Sequence, residues 1–218
     1  MRIGILGTGM VAQAIAPRLF DVEHEVCVGA RSSDSDTLEP FAAQEMLTGT
    51  FAEAAATADL VINATNGNHS VEAVASAADQ LAGKTLIDLA NRLDHSRGMA
   101  QAALATNENS LAADLQAAAP EANVVKALNT MNCNVMVNPS LVVGDHVVFM
   151  SGDSDAAKQQ VRGLLGDVGW REPQIVDLGG LETATGPEML MQLWLDVLIA
   201  RGGMDAGPFN FAVNGPAS

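Results

Sequence analysis

A glycine-rich turn near the start of the chain limits its fold more than any other feature of the sequence. The turn reads Gly7-x-Gly9-x-x-Ala12, after an apolar run at residues 2–6 and before an apolar helical segment. Gly7 permits a tight turn, Gly9 lets another group approach the backbone closely, and a small residue at position 12 lets helix and strand pack together. The helix N-terminus adds unpaired N–H groups and a partial positive charge. The pattern therefore predicts a strand–turn–helix unit that binds a diphosphate, the alternative being a glycine turn that binds nothing.

The chain then alternates short β-type runs with Ala-rich helical stretches. Runs such as residues 60–62 and 124–125 are apolar on consecutive positions, which is typical of strands covered on both faces. This alternation predicts an α/β fold with a doubly wound parallel sheet and right-handed crossovers, the Rossmann arrangement. The predicted strands lie at residues 2–6, 25–29, 60–64, 85–89, 123–128 and 147–150. The predicted helices lie at residues 10–20, 38–45, 70–81, 110–118 and 154–168.

The regular alternation of predicted strands and helices changes after residue 169. A strand is predicted at residues 175–178, a helix at 183–201 and a short terminal strand at 208–213. We therefore expect a dinucleotide-binding domain at residues 1–150 and a small C-terminal α/β extension at residues 151–218 that completes the substrate pocket. No Pro/Ser-rich or single-sign charged linker separates the two parts, so they should be tightly joined.

Composition excludes several classes of function. Eleven basic against 26 acidic residues give a net charge of −15, which argues against nucleic acid or an anionic membrane surface as a partner. No apolar run reaches the ~18–20 residues that a transmembrane helix needs. Cys27 and Cys133 lie far apart in apolar settings, which favours two reduced thiols in a cytoplasmic protein over a disulfide. The two cysteines and four histidines lack zinc-site spacing, so no metal site is expected.

The end of the second predicted strand indicates which dinucleotide is bound. A site that prefers NAD usually ends this strand with Asp or Glu to hold the ribose hydroxyls, whereas here the strand runs into Arg31. A guanidinium can bind a 2′-phosphate, and the hydroxyl of Ser32 or Ser33 could add a hydrogen bond. Asp34 and Asp36 would repel that phosphate unless they point away. The pattern favours NADP(H), the alternative for Arg31 being a solvated loop cation.

Neutral amides follow the other predicted strands. Ligands of open parallel sheets bind outside the carboxyl ends of the strands, and amides can pair with a nicotinamide or a flavin-like ring without charging the pocket. The alternative is that the asparagines cap turns and helices. Histidine can serve as a general acid near neutral pH, so His69 is a candidate for catalysis or for ligand contact, the alternative being a polar capping role at a helix start. The polar candidates are Asn66, Asn68, His69, Asn91, Asn129, Thr130 and Asn132, with Met131 and Met136 as apolar contacts for a ring.

The chemistry that the sequence lacks is informative. Oxidation of an alcohol normally needs a base such as a Tyr–Lys or His–Asp pair, and this chain contains no tyrosine. A hydride passed between two rings needs no dedicated acid or base, because positioning the two ring carbons ~3–3.5 Å apart in a dry pocket suffices. No catalytic acid or base residue is therefore predicted.

The chain resembles the coenzyme F420-dependent NADP oxidoreductases over nearly its full length. The residues that carry this resemblance are Gly7-Thr8-Gly9-Met10, Val28-Gly29-Ala30-Arg31, KALNTM at 126–131 and GPFNF at 207–211. The resemblance implies hydride transfer between NADP(H) and coenzyme F420, usually by a homodimer. It further implies that Arg31 binds the 2′-phosphate. The residues it implies at the pyrophosphate are Gly7, Thr8, Gly9, Met10 and Val11, and those near the stacked rings are Asn66, His69, Asn91, Asn129, Thr130 and Met131.

The second substrate is expected to be F420 or a related flavin, because proteins similar to the cytosolic domain of STEAP metalloreductases belong to the same family and use flavin. F420 is polyanionic, so a chain with net charge −15 must attract it through local cations, for which Arg92 and Arg97 are candidates. The residues expected to bind this substrate are Met131, Asn132, Arg92 and Phe209. Two alternatives stay open, an NADPH-dependent reductase of a small imine or ketone and a non-catalytic NADPH-binding protein.

Overall fold

The computed structural model describes residues 1–94, 103–104 and 109–215 of the chain. Within these ranges the strands are β1 (Arg2–Leu6), β2 (Glu25–Ala30), β3 (Leu47–Thr50), β4 (Leu60–Asn63), β5 (Thr85–Asp88), β6 (Leu93–Asp94), β7 (Ala103–Leu104), β8 (Asn123–Ala127), β9 (Val148–Gly152) and β10 (Ile175–Asp177). The α-helices are α1 (Met10–Asp21), α2 (Glu39–Ala42), α3 (Phe51–Thr57), α4 (Ser70–Ala75), α5 (Ala78–Leu81), α6 (Leu111–Ala118), α7 (Cys133–Val137), α8 (Asp155–Asp167) and α9 (Thr185–Ala200).

Eight of these strands form one sheet in the order β10-β9-β8-β5-β4-β1-β2-β3. The strands from β8 to β3 in that order are all parallel, and β6 pairs with β7 in a separate two-stranded sheet. The chain winds outward in one direction from β1 to β3 and in the other from β4 onward. This arrangement confirms the predicted doubly wound α/β fold and places a topological switch point between β1 and β4.

The central strands bury both of their faces. Successive residues alternate between two hydrophobic clusters, so that Ile62 packs in one cluster and Val61 in the other. Val125 and Val124 divide in the same way. Because side chains of a strand point alternately to its two faces, each face of the sheet is covered by its own apolar layer. Runs of consecutive apolar residues in the sequence are explained by this double burial.

The direction of β9 differs from the expected all-parallel arrangement. β9 pairs antiparallel with β8, and β10 is parallel to β9. A parallel neighbour requires a crossover that returns the chain to the opposite edge of the sheet. The α-helix between β8 and β9 is the five-residue α7, which spans only ~7.5 Å. The chain therefore enters β9 from the edge at which it left β8.

Several predicted elements differ from the observed ones. β3 and α3 were not predicted, and the predicted helix at residues 70–81 is divided into α4 and α5. The predicted terminal strand at residues 208–213 is wrong, since this segment has no regular secondary structure. It is attached instead by single contacts, with Val147 N donating to Phe211 O at 2.9 Å and Asn210 Nδ2 donating to Val147 O at 2.9 Å. Pro208 lacks an N–H group, which weakens any ladder at its start.

The C-terminal part continues the main sheet. β9 and β10 lie on either side of α8, so sheet residues occur both before and after position 150. The division into residues 1–150 and 151–218 stays a prediction.

Cys27 and Cys133 are both buried and form no disulfide, and burial raises the pKa of each thiol. Among helices of the described ranges, none is long and apolar enough to cross a membrane.

Candidate functional site

A cavity of about 500 Å³ opens at the switch point of the sheet, and we call it the first cavity. It lies at the carboxyl ends of β1 and β4, where the two halves of a doubly wound fold diverge. Six residues predicted from the sequence line it together. The lining residues are Gly7, Thr8, Gly9, Arg31, Thr50, Phe51, Ala52, Ala64, Thr65, Asn66, His69, Glu72, Ala73 and Ser76.

The two glycines of the turn are needed for different reasons. Gly7 has φ +115°, and a Cβ there would lie 2.7 Å from Ala64 O, so the fold itself requires glycine. Gly9 has φ −75° and ψ −172°, which any L-residue adopts, and no described atom lies within 4 Å of a Cβ built on it. The fold does not need glycine at position 9. Glycine there keeps open a space at the entrance of α1 that a ligand can occupy.

The N-terminus of α1 is prepared for an anion. Gly9 is the N-cap residue of α1, no side chain forms a capping hydrogen bond there in the described structure, and the first turn of α1 contains no acidic residue. Ala12 is buried against the sheet, as the close packing of helix and strand predicts, while Met10 is exposed and Val11 half-buried. Unpaired N–H groups and the positive end of the helix dipole favour negative charge at this point by ~0.3–1 kcal/mol at an exposed site. A diphosphate fits both the open space and this polarity.

Arg31 lines the first cavity together with the glycine turn. Its side chain is exposed, and within the described ranges it makes no ion pair. Ser32 and Ser33 are also exposed, and Asp34 N donates to Ser32 Oγ at 3.4 Å. Asp34 and Asp36 are exposed as well and leave Arg31 unpaired. The guanidinium is therefore available to an anionic ligand of the first cavity.

A chain of hydroxyl groups connects this loop to the glycine turn. Thr8 Oγ1 donates to Thr37 Oγ1 at 2.9 Å, and the same Thr37 atom lies 2.8 Å from Ser35 Oγ. Thr37 was not predicted as a site residue. The position of a hydroxyl residue six places after Arg31 was the available signal, but contact with Thr8 could not be inferred without the fold.

Asn66 and His69 line the cavity in a tight turn after β4. Asn68 N donates to Asn66 Oδ1 at 3.0 Å, and His69 N donates to Asn66 O at 2.8 Å. Asn68 Nδ2 donates to Leu93 O at 2.9 Å. The Asn66 side chain thus supports the turn, as the capping alternative anticipated, while His69 is exposed and lines the first cavity.

Asn91 and Asn129 join the ends of β5 and β8. Asn129 Nδ2 donates to Asn91 Oδ1 at 2.8 Å, and Asn91 Nδ2 donates to Asn129 O at 2.7 Å. Asn129 Nδ2 also reaches Pro187 O in α9 at 3.1 Å. Leu128 has φ +62°, a strained conformation for a leucine, of the kind that clusters at functional sites.

Two side-chain oxygen atoms, one in this amide pair and one in the next residue, are buried without a hydrogen-bond partner among the described residues. They are Asn129 Oδ1 and Thr130 Oγ1. A buried polar group left unpaired costs ~1–3 kcal/mol. A ligand amide or hydroxyl group at this edge of the sheet could relieve that cost.

A buried charge network lies behind these asparagines. Lys126 is 1% exposed and its Nζ lies 2.7 Å from Asp88 Oδ2 and 3.0 Å from Glu188 Oε1. Asn63 Nδ2 donates to Asp88 Oδ1 at 2.8 Å. Leu111 N and Ala112 N at the start of α6 donate to the Glu188 carboxylate at 2.8 and 3.2 Å. The network joins β4, β5, β8, α6 and α9 in one set of contacts.

Lys126 is one of the residues that carry the family resemblance, but the resemblance implies no role for it. Its ion pairs with Asp88 and Glu188 were not anticipated, because the three residues are far apart in sequence. A lysine inside an apolar strand was the available signal, since charged residues are almost never fully buried without a partner. The partners themselves could not be read from spacing.

A second cavity of about 320 Å³ lies beside the carboxyl end of β8, and we call it the second cavity. Trp194 and Phe209 form an aromatic wall, with ring centroids 5.1 Å apart and planes 15° apart. Asn132 and Phe209, both predicted to bind the second substrate, line it together. The lining residues are Asn132, Asn134, Leu141, Trp194, Leu198, Gly207, Pro208 and Phe209.

The remaining predicted residues have other surroundings. Met131 is 4% exposed and packs in the hydrophobic core, as does Met136, so core packing is the role that the structure shows for both. Arg92 Nη2 lies 2.7 Å from Asp114 Oδ2, which offsets its charge. Asn132 Oδ1 accepts a hydrogen bond from Asn134 N at 2.9 Å and so caps α7. Arg97 lies outside the described residues.

Metal ligands do not gather in the part of the chain that the structure describes. Within residues 1–94 and 109–215, no group of three His, Cys, Asp or Glu side chains could hold a metal ion. The two cavities are instead lined by backbone, amides, hydroxyls and apolar groups, apart from Arg31, His69 and Glu72.

Known proteins share both the sequence pattern and the fold. A family model described as NADP oxidoreductase, coenzyme F420-dependent, matches residues 2–92. The crystal structure of a candidate F420-dependent NADP reductase from Arthrobacter sp. FB24 is 42% identical with a TM-score of 0.89, and the match covers 99% of this chain and 100% of that chain. The metalloreductase STEAP3 of Rattus norvegicus is 30% identical over 191 residues, which are 87% of this chain and 36% of that protein.

More distant structures share the fold alone. An imine reductase from Myxococcus stipitatus in complex with NADP+ is 16% identical with a TM-score of 0.65, and the match covers 92% of this chain and 63% of that chain. This chain spans about a third of the length of STEAP3, at 36%, but all of the Arthrobacter chain. The full-length match at 42% identity, together with the glycine turn, shows that this chain belongs to the coenzyme F420-dependent NADP oxidoreductases, a family of NAD(P)-dependent oxidoreductases.

Proposed function

We propose that this protein transfers a hydride between NADP(H) and a second ring substrate, coenzyme F420 or a related flavin. The observation that carries the proposal is the space kept open at Gly9, which faces the uncapped N-terminus of α1 and shares a cavity with the unpaired Arg31. A dinucleotide with a diphosphate and a 2′-phosphate fits these two features at once. When bound, NADP(H) supplies the carbon that gives or takes the hydride.

The residues of the chain would act by binding and orienting. Backbone N–H groups from Gly9 onward hold the diphosphate, with Thr8 beside it and Met10 and Val11 flanking it. Arg31 binds the 2′-phosphate, with Ser32 and Ser33 nearby. Asn66 and His69 contact the middle of the dinucleotide, and Asn91, Asn129 and Thr130 surround its ring end, where the unpaired oxygens of Asn129 and Thr130 can accept hydrogen bonds. The reaction asks the chain to position two rings rather than to move a proton.

The reaction is tested by mixing the protein with NADPH and, in separate cuvettes, F420, FMN or FAD while nicotinamide absorbance is followed. Rapid oxidation of NADPH by F420 or a flavin is expected. Oxidation that occurs only with a small cyclic imine or ketone would identify the alternative reductase. Tight NADPH binding without turnover by any of these acceptors would identify a binding protein.

Arg31→Gln is expected to weaken NADPH binding by roughly 10- to 100-fold, because hydrogen bonds to a charged group contribute ~1.5–3 kcal/mol. NADH affinity should change by less than ~2-fold, since NADH lacks the 2′-phosphate. Calorimetric titration with both nucleotides measures the two effects. Arg171→Gln is the matched control, because Arg171 is an exposed arginine that pairs with Asp145 away from both cavities. Equal losses for NADPH and NADH would contradict the assignment.

We also propose a homodimer formed through α9. Met189 and Leu193 are exposed and lie one helical turn apart on α9, and a second copy of the chain would cover them. Sedimentation equilibrium should give the mass of a dimer for the natural protein and of a monomer for Leu193→Glu. A monomeric natural protein at micromolar concentration would contradict the proposal.

The proposed partners are small molecules, and the proposed location is the cytoplasm. The net charge of −15 supports the first point, because it opposes contact with nucleic acid or an anionic membrane. Two separate buried thiols, Cys27 and Cys133, support the second.

A further inference from the structure

Most basic side chains in the described part of the chain are already paired with carboxylates. This is expected of a chain with 26 acidic and 11 basic residues. The carboxylate beside a paired guanidinium or ammonium offsets its positive charge, so the pair attracts an anionic ligand only weakly. The paired residues are Arg2, Arg92, Lys126, Lys158, Arg162 and Arg171.

Two exposed arginines of the described ranges stand apart from this pattern, Arg31 and Arg201. Neither makes an ion pair there, and both are exposed. Arg31 lines the first cavity. Arg201 Cζ lies 5.3 Å from the ring centroid of Phe209, which lines the second cavity. In a strongly acidic chain, an unpaired cation therefore stands beside each of the two cavities.

The local structure holds Arg201 in this place. Arg201 follows directly after α9, and its Nη2 donates to Ala206 O at 3.4 Å. Its contact with the Phe209 ring is a cation–π interaction worth ~0.5–1 kcal/mol at an exposed site. These contacts leave the remaining N–H groups of the guanidinium for a ligand, and a guanidinium binds phosphate through two parallel hydrogen bonds.

The second cavity complements a planar ring. Trp194 and Phe209 present stacked aromatic side chains, and Leu141 and Leu198 add apolar surface. An aromatic ligand gains ~0.5–1.5 kcal/mol from such contacts beyond the burial of its area. Asn132 and Asn134 supply the polar side of the cavity. The chemistry of the cavity and the adjacent guanidinium together describe a flat heterocycle with an anionic substituent.

We propose that Arg201 selects a second substrate whose ring carries a phosphorylated side chain, with the ring against Trp194 and Phe209 and the phosphate on the guanidinium. This assignment rests on the proposed function for the identity of the ring as a flavin or deazaflavin. It replaces Arg92 as the cation that attracts the substrate, because Asp114 offsets the charge of Arg92. A local cation is needed, since the field of the whole chain repels an anion.

The test compares ligands with and without the phosphate. FMN and riboflavin share one ring and side chain and differ only in the phosphate. F420 and its ribityl-deazaflavin fragment share one ring and differ in the phosphate together with the anionic tail that follows it. Equilibrium binding of all four is measured by quenching of ligand fluorescence, without any nicotinamide nucleotide. For at least one pair, the natural protein should bind the phosphorylated member ~10-fold or more tightly, which is the effect of one charge-assisted contact. Arg201→Gln should abolish that preference, and Arg201→Lys should keep part of it.

Two further variants separate the parts of the site. Leu141→Ala should weaken both members of a pair equally, because it removes apolar lining of the second cavity and leaves the contact between Phe209 and the guanidinium intact. Arg31→Gln should lose NADPH affinity but keep the preference for the phosphorylated ligand that the natural protein shows, and Arg171→Gln should keep both. Salt should weaken binding of the phosphorylated ligands alone.

The result that overturns the inference is a phosphate preference that survives in Arg201→Gln. Failure of all four ligands to bind would also overturn it, as would equal binding of both members of each pair by the natural protein. Because no NADPH is present, these outcomes are independent of the hydride-transfer assay. A protein that prefers FMN over riboflavin through Arg201 but never oxidises NADPH would contradict the proposed function and support the inference.

Discussion

Replacing Lys126 with Met is expected to lower the free energy of unfolding by ~3–5 kcal/mol, which is the usual effect of removing one partner from a buried ion pair. Asp88 is 0% exposed and Glu188 is 7% exposed, so neither carboxylate can turn to water when the ammonium is lost. Glu188 would still accept hydrogen bonds from Leu111 N and Ala112 N, and Asp88 would still accept one from Asn63 Nδ2. Those hydrogen bonds do not supply a positive charge.

Lys158→Met is the matched control for this prediction. Lys158 is also largely buried, but its carboxylate partners Asp155 and Asp177 are more exposed than those of Lys126. The control should lose about 1 kcal/mol or less, as exposed ion pairs do. Urea unfolding at neutral pH measures both variants. A loss for Lys126→Met no larger than that of the control would show that the network does not hold β8 and α9 together.

Gly9→Val is expected to weaken NADPH binding by ~100-fold or more, equivalent to about 2.7 kcal/mol, while the protein stays folded. The backbone angles of Gly9 suit a β-branched residue, and a Cβ there meets no described atom within 4 Å. Loss of a favourable N-cap residue should cost the fold only about 1 kcal/mol. The isopropyl group would fill the space that we assign to the diphosphate. Nucleotide titration and urea unfolding of the same variant measure the two effects.

Gly7→Ala should show the opposite balance. Its φ of +115° is strained for alanine, and the new Cβ would meet Ala64 O at 2.7 Å. We expect a loss of ~3 kcal/mol or more in the free energy of unfolding. If Gly9→Val bound NADPH with natural affinity, the first cavity would not hold a diphosphate at Gly9.

Local patterns in the sequence predicted the fold well where strands are buried on both faces. β1, β4, β5 and β8 were found from consecutive apolar residues, because double burial leaves a clear signal. β3 was missed, since it is a four-residue edge strand with one buried residue. α3 could have been found from Thr50 and Glu53, which form a capping box. The reversal of β9 depends on the short α7 and could not be read from apolar periodicity.

The candidate site was predictable where one segment supplies all of its parts. The glycine turn and Arg31 were predicted from their spacing in the motif, and both line the first cavity. The Lys126 network and the unpaired state of Arg201 were not, because both depend on which distant carboxylates the fold brings near. Arg92 was assigned a ligand role from its position after β5, and only the structure shows Asp114 against it.

The reversal of β9 determines which part of the chain can close the substrate side of the molecule. Since β9 is antiparallel to β8, the first residues of β9 lie next to the last residues of β8. Val147 therefore sits at the ligand-facing rim, and its hydrogen bonds to Phe211 and Asn210 fasten the end of the polypeptide there. A parallel β9 would have carried Val147 to the far rim and left the Trp194 ring without Phe209 beside it.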